Sequence, residues 1–319
     1  MTILLTGSTG FIGSALAQTL ADANVNLHLT SRRKDFVALA NSKAFYLEDI
    51  NAHTDWKNAL EGVETVIHAA GIAHSHGATA KEYVRTNIEG AGHLATMAVA
   101  AGVKHFIFLS SVGVHGRTSR NCELTEASPF DPYNNYSLSK LKAEEAIQAA
   151  SKNSSMAFTI IRPPLVYAAQ APGNFRRLLK LVELGIPLPL GALENQRSVI
   201  ALENLIDFIL TCISQPQARN QVFLVADREP ISTRQIIGWI AQGMNRPVRL
   251  LRMRPRLVYR IASLLQQEER YQQLCGDLVL GTEKAQNLLG WQAPLDSRSG
   301  IIKAGEGFRH AGSGPVSKI

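Results

Sequence analysis

The chain has 319 residues and a formal charge of +7, enough length for one large domain or two smaller ones around a sizeable core. Cys122, Cys212 and Cys275 are widely spaced and odd in number, so they fit neither a disulfide framework nor a zinc site, and no apolar run reaches the length of a membrane span. The positive charge suits an anionic small molecule. With no long basic run and no aromatic-interleaved basic patch, nucleic acid is the weaker partner.

The N-terminus opens directly on a strand-like run, Thr2 to Thr6, without the basic and then apolar stretch of a leader, which predicts a cytoplasmic protein. Gly7-Ser8-Thr9-Gly10-Phe11-Ile12-Gly13 follows, and Ser14 to Leu20 reads as helix. Glycine at the first position of this turn permits a tight bend. The second lets a pyrophosphate approach the backbone, and the third lets the helix pack close to the strand. The helix start then offers free N–H groups to phosphate, so Gly7, Thr9, Gly10, Phe11, Ile12 and Gly13 are candidate dinucleotide contacts.

A second strand, Asn26 to Thr30, ends in Ser31-Arg32-Arg33-Lys34 with no carboxylate before Asp35. An acidic residue there would hold the ribose 2′-OH of NAD, whereas Arg32 and Arg33 suit the 2′-phosphate of NADP. The expected cofactor is NADP(H), with NAD(H) possible. Ala44 to Leu47 and Val63 to Ile67 are the next strands. The small residues Ala69-Ala70-Gly71 after the latter would let the backbone pass close to a cofactor. His74-Ser75-His76 has no third metal ligand at suitable spacing and reads as a solvated loop.

Ala80 to Ala101 reads as a helix containing Asn87. Phe106 to Leu109 is a fifth strand ending in Ser110-Ser111, where an open α/β sheet presents reactive groups. Downstream, Tyr136-Ser137-Leu138-Ser139-Lys140 begins a run of good helix formers, so Tyr136 and Lys140 share one helix face a turn apart. A cation there should lower the phenol pKa and make Tyr136 a proton-exchange group for a sugar or steroid oxygen. Ala157 to Arg162 is a sixth strand stopped by Pro163-Pro164. Strands alternating with helices predict a doubly wound parallel sheet.

Beyond Tyr167 come a short helix from Pro172-Gly173-Asn174, the turn-rich Gly185 to Gly191, and helices from Leu202 to Ile213 and from Ser232. A further strand spans Val222 to Val225. Met253 to Leu265 is basic and amphipathic; it has the look of a membrane-surface helix, but the reading preferred is a partly buried helix with Arg tips in water and no membrane insertion. The expected organisation is a dinucleotide-binding domain over 1–168, to which 199–226 returns. A smaller mixed α/β substrate-binding lobe comprises 169–198 and 227–310, followed by a disordered tail over 311–319.

In this order, Gly7-x-x-Gly10-x-x-Gly13, His68-Ala69-Ala70, Asn87, Ser110-Ser111, Tyr136-x-x-x-Lys140 and Arg162-Pro163-Pro164 resemble the extended short-chain dehydrogenase/reductase family, also called the NAD-dependent epimerase/dehydratase family, over almost the whole chain. The resemblance implies Ser111 and Tyr136 as catalytic hydroxyls, with Lys140 holding the nicotinamide ribose. It also implies His68, Asn87 and Pro163 near the cofactor and Asp49 and Ile50 near adenine. Ser111, Val112, Tyr136, Asn174 and Arg197 would meet a nucleotide-sugar substrate. The pattern looks most like a subgroup that reduces C4 of a UDP-linked 4-keto-6-deoxy-N-acetylhexosamine for surface-polysaccharide (lipopolysaccharide, O-antigen) synthesis, as a homodimer. A UDP-hexose 4-epimerase and a non-catalytic dinucleotide sensor are the alternatives. Two positions depart from the family pattern, His115 where Tyr is usual and Ala168-Ala169 where Gly-Pro is usual.

Overall fold

The computed structural model describes residues 1–73, 77–119 and 122–312, apart from the side chains at 270, 311 and 312. The His74-Ser75-His76 loop and the tail beyond Gly312 therefore lie outside the described residues. Seven strands form one all-parallel sheet: β1 (Thr2–Thr6), β2 (Asn26–Ser31), β3 (Ser42–Tyr46), β4 (Thr65–His68), β5 (His105–Leu109), β6 (Ala157–Arg162) and β9 (Gln221–Leu224). Its order is β3-β2-β1-β4-β5-β6-β9. The chain winds outward from β1 to one edge and then returns to β4 beside β1. That reversal opens a crevice at the carboxyl ends of β1 and β4. The central strands are apolar and buried because helices cover both faces.

On one face lie α1 (Phe11–Asp22) and α6 (Leu202–Ser214), packing Leu16, Leu20, Leu205, Phe208 and Ile209 against the sheet. On the other lie α3 (Gly90–Ala100) and α4 (Asn135–Ser151), packing Leu94, Ala98, Ala143 and Ile147. The helix expected over 80–101 is divided. A short α2 (Ala80–Tyr83) precedes a π-helical stretch, Val84–Glu89, and α3 follows. The wider stretch carries Asn87.

A second apolar cluster joins α5 (Gly173–Glu183), α7 (Thr233–Gly243) and α11 (Ser297–Gly312) to a two-stranded parallel sheet of β7 (Leu165–Tyr167) and β8 (Val199–Ala201). Neither short strand was expected, because three residues carry no periodicity and the pairing is made across 34 positions. Helices α7 and α11 meet closely at glycines: a Cβ on Gly243 would stand 2.1 Å from the Ile302 carbonyl oxygen. The α11 helix continues to Gly312, past the expected start of a disordered tail. Tyr167, Ser297 and Asn204 donate to the Asp227 carboxylate at 2.7, 3.0 and 2.7 Å, tying this lobe to the end of the main sheet.

The remaining helices are α8 (Pro255–Leu264), α9 (Glu268–Cys275) and α10 (Glu283–Leu289). Helix α8 is partly buried, with Val258, Ala262 and Ser263 half-buried and Arg256 and Arg260 exposed, and none of its residues is fully buried. The three cysteines are free, and no helix among the described residues is long and apolar enough to cross a membrane.

Candidate active site

Between β1 and α1, the glycine turn takes the shape that its spacing predicts. Gly7 has φ +74°, and a Cβ there would lie 2.7 Å from the Ala70 nitrogen. One on Gly13 would lie 2.0 Å from the Gly7 carbonyl oxygen, so only glycine lets the helix start so near the strand. Gly10 caps α1 without a side-chain hydrogen bond, and no acidic residue occupies the first turn. The positive end of this helix is thus left for an anion from outside the chain. Phe11 and Ile12 of that turn line a cleft of about 920 Å³, while the Ser8 hydroxyl donates to the Thr30 carbonyl at 2.9 Å. The latter bond ties the glycine turn to the carboxyl end of β2, which Arg32 and Arg33 follow in the chain. Both are exposed, and Arg33 pairs with Asp35 at 3.0 Å. This glycine cradle fits a dinucleotide.

The cleft runs across the carboxyl edge of the sheet into the smaller lobe. Its wall includes Ala69, Gly71, Ser111, Val112, Tyr136, Lys140 and Pro163, with Asn174 and Arg197. Ser111 caps the tight turn Val112–His115, its oxygen accepting the Gly113 N–H at 3.1 Å. Asn134 and Ser137 close a capping box that starts α4, so Tyr136 lies in the first turn and Lys140 a turn later. The Tyr136 and Ser111 hydroxyls line the same cleft.

The electrostatics overturn one expectation. The phenol of Tyr136 is not lowered by Lys140 but pushed up to about 12. Desolvation in the cleft wall is the main cause. Tyr133 and Tyr83 add to the rise, and the nearby Ser111 hydroxyl opposes it. Lys140 is turned away, donating to the Leu109 carbonyl at 2.8 Å with its ammonium 4.6 Å from the centre of the Phe108 ring. Burial lowers it to about 8, against a small opposing pull from Glu144.

Other residues have duties inside the protein. The Asn87 side chain accepts from the Ile72 N–H at 2.8 Å and donates to the Ile72 carbonyl and to Ser139 at 3.0 and 2.9 Å. It clamps the segment after β4 onto α4. The His68 ring is buried, 2.7 Å from the Thr6 hydroxyl and stacked on Phe108, so its side chain belongs to the core and not to a cofactor surface. Burial and Lys140 lower its pKa to about 3. Asp49 pairs with Arg85 at 2.7 Å and accepts from the Ile50 N–H at 2.9 Å, while Ile50 packs under Gly90.

Four groups behind the wall were not singled out as site residues. Arg162 holds the Glu144 carboxylate through Nε at 3.0 Å and through Nη2, and the Ser110 hydroxyl donates to the same carboxylate. Arg162 Nη1 also donates to His115 Nε2 at 2.8 Å. A guanidinium has no acceptor, so His115 Nε2 is unprotonated and Nδ1 donates to the Pro129 carbonyl at 3.2 Å. Burial and Arg162 keep this histidine below its usual pKa. The signal for Glu144 was its place four residues after Lys140 on the same helix face. Arg117, Arg177, Lys180 and Arg197 also line the cleft. Arg197 is buried, donating to the Gly276 carbonyl at 2.6 Å. Among the described residues no cluster of three or more His, Cys, Asp or Glu could hold a metal ion.

The parallel sheet, its reversal at β1 and β4 and the cleft at that point define a Rossmann-like α/β protein. The chain belongs to the NAD dependent epimerase/dehydratase family, whose model matches residues 3–226. Over 316 residues it is 35% identical to UDP-glucose 4-epimerase of Vibrio cholerae, covering 97% of this chain and 96% of the relative. It is 28% identical over 249 residues to the N-acetyl-alpha-D-glucosaminyl-diphospho-ditrans,octacis-undecaprenol 4-epimerase of Escherichia coli O157:H7, covering 77% of this chain and 73% of that one. Among solved structures, UDP-glucuronic acid 4-epimerase from Bacillus cereus in complex with NAD superposes with a TM-score of 0.79 at 20% identity, covering 98% of this chain and 99% of that chain.

Proposed function

We propose that the protein catalyses oxidation and reduction at C4 of a UDP-linked hexose, and that its net reaction is reduction of a 4-keto sugar. The observation that carries the reading is that the hydroxyls of Ser111 and Tyr136 line one cleft together with Arg117, Arg177, Lys180 and Arg197. Four cations there suit a diphosphate. The glycine cradle at Gly7, Gly10 and Gly13 would hold a dinucleotide, which when bound supplies the hydride. Tyr136 gives its proton to the sugar oxygen, and Ser111 donates a hydrogen bond to that same oxygen as charge develops there. With its pKa pushed up to about 12, the Tyr136 phenol is protonated at neutral pH, which is the form a carbonyl reduction needs. Lys140, buried beside Gly71, holds the nicotinamide ribose. Glu144, Arg162 and His115 fix the ends of β5, β6 and the Ser111 turn against α4. Arg32 and Arg33 favour NADP(H) over NAD(H). The reading includes a role in surface-polysaccharide synthesis and a homodimer pairing the helices that bear Asn87 and Tyr136.

A 4-epimerase is the second reading, and the full-length likeness to the Vibrio cholerae enzyme favours it. It would use the same hydroxyls in both directions. The separating experiment follows absorbance of NADPH, and separately of NADH, with a UDP-4-keto-6-deoxy-N-acetylhexosamine. A parallel arm follows the sugar products from UDP-glucose and UDP-N-acetylglucosamine. Stoichiometric NADPH oxidation with the keto sugar alone is the expected result. Interconversion of C4 epimers without net oxidation would replace the reductase by the epimerase, and inactivity in every arm would overturn both.

A further inference from the structure

Helix α8 is an apolar stripe that nothing in the fold covers. Leu257, Ile261, Leu264 and Leu265 recur at helical spacing and are 48, 43, 85 and 65% exposed. The helix touches the protein by its opposite side, where the Tyr259 ring stands 5.3 Å from that of Tyr271 and Val258 and Ala262 are half-buried. Beside the stripe lie Arg256 and Arg260, and the strand-like approach to the helix adds Arg252 and Arg254. All four are exposed and none makes an ion pair among the described residues. The two carboxylates nearest in sequence are engaged: Glu268 accepts from Ser263 at 2.8 Å, and Glu269 pairs with Arg117 at 3.3 Å.

We propose that α8 docks the protein on the surface of an anionic lipid bilayer. The stripe would enter the headgroup boundary, and the arginines would reach the lipid phosphates. Charge selects a bilayer over a protein partner: residues 251–265 carry four exposed arginines and no carboxylate, complementary to anionic headgroups. The helix has only ten residues, which permits lying on a bilayer and not crossing one. Helix α9 follows directly and carries Gln273 and Leu274 into the cleft wall, so docking through α8 would hold the cleft close to the membrane.

The test is co-sedimentation of the full chain with vesicles of phosphatidylcholine alone and of phosphatidylcholine mixed with phosphatidylglycerol, at low and high salt. Binding to the phosphatidylglycerol vesicles at low salt, little to phosphatidylcholine, and release by salt are expected. Arg256→Glu with Arg260→Glu, and separately Leu257→Glu with Leu264→Glu, should each weaken binding by about tenfold or more. Because none of these side chains is buried, circular dichroism and the melting temperature should stay as in the wild type. Three results would overturn the proposal: no binding to anionic vesicles, unchanged binding in both variants, or a dimer that the leucine variant dissociates while vesicle binding is absent. The last would mean that a second copy covers the stripe.

Discussion

Helices α4 and α8 invert one another. Helix α4 buries Lys140, Glu144, Ser137 and Ser139, whereas α8, with its apolar stripe, has no fully buried residue. Hydropathy alone would have reversed these fates. In α4 both buried charges and most of the buried hydroxyls find partners: Lys140 at Leu109, Glu144 at Arg162 and Ser110, Ser139 at Asn87, while Ser151 at the last turn has none. A buried charge is tolerable only when it is matched in this way. Helix α8 lies at the periphery, against α9 through Tyr259 and Tyr271, with its apolar stripe exposed. Burial therefore follows where the topology puts an element, and the partners follow from burial.

That contrast can be broken at several points. The largest effect is expected at the surface of α4 that faces the cleft: Tyr136→Phe should lower turnover by about two to four orders of magnitude at unchanged fold, read by steady-state kinetics. Near-normal turnover would remove Tyr136 from the chemistry. Behind it, Glu144→Gln leaves Arg162 buried without its counter-charge and should cost about 3–5 kcal/mol, measured by urea unfolding. Recovery of much of that loss when Arg162→Met is added would show that the charge, and not packing, was responsible.

Acid should act next. His68 and His105 are buried neutral, with pKa lowered to about 3 and about 4, in both cases chiefly by desolvation. The unfolded chain protonates them near their ordinary value of about 6.5 and so binds more protons than the native state. Stability is then complete above that pH and falls as pH drops from about 6.5 towards 4, by up to about 1.4 kcal/mol per unit for each histidine. A His105→Gln variant should show a shallower slope in unfolding measured across that range. The smallest effect belongs to α8: Leu264→Glu should change stability by about 0.5 kcal/mol or less. A large loss there would mean that α8 is held by contacts its exposure does not suggest.

The glycine turn, the parallel strands and the Tyr136–Lys140 pair were legible because each is local. A turn needing positive φ, a strand buried on both faces and two side chains a helical turn apart all write themselves into a few consecutive residues. The residues behind the wall were not. Glu144, Arg162 and the stretch from Ser110 to His115 belong to three separate segments, and only the stacking of α4 over the ends of β5 and β6 makes them one network. Likewise β7 and β8 exist only through each other.

The sequence by itself determined the kind of fold and the groups able to do chemistry, because periodicity, glycine placement and helical spacing are short-range properties. Tertiary structure decided the states of those groups. Desolvation raised the Tyr136 phenol while Lys140 turned to the Leu109 carbonyl, the His68 ring went to the core, and α8 stayed in the open. Each outcome depends on which distant segments come to lie alongside, and solvent exclusion is set by that whole arrangement and not by any one stretch of chain.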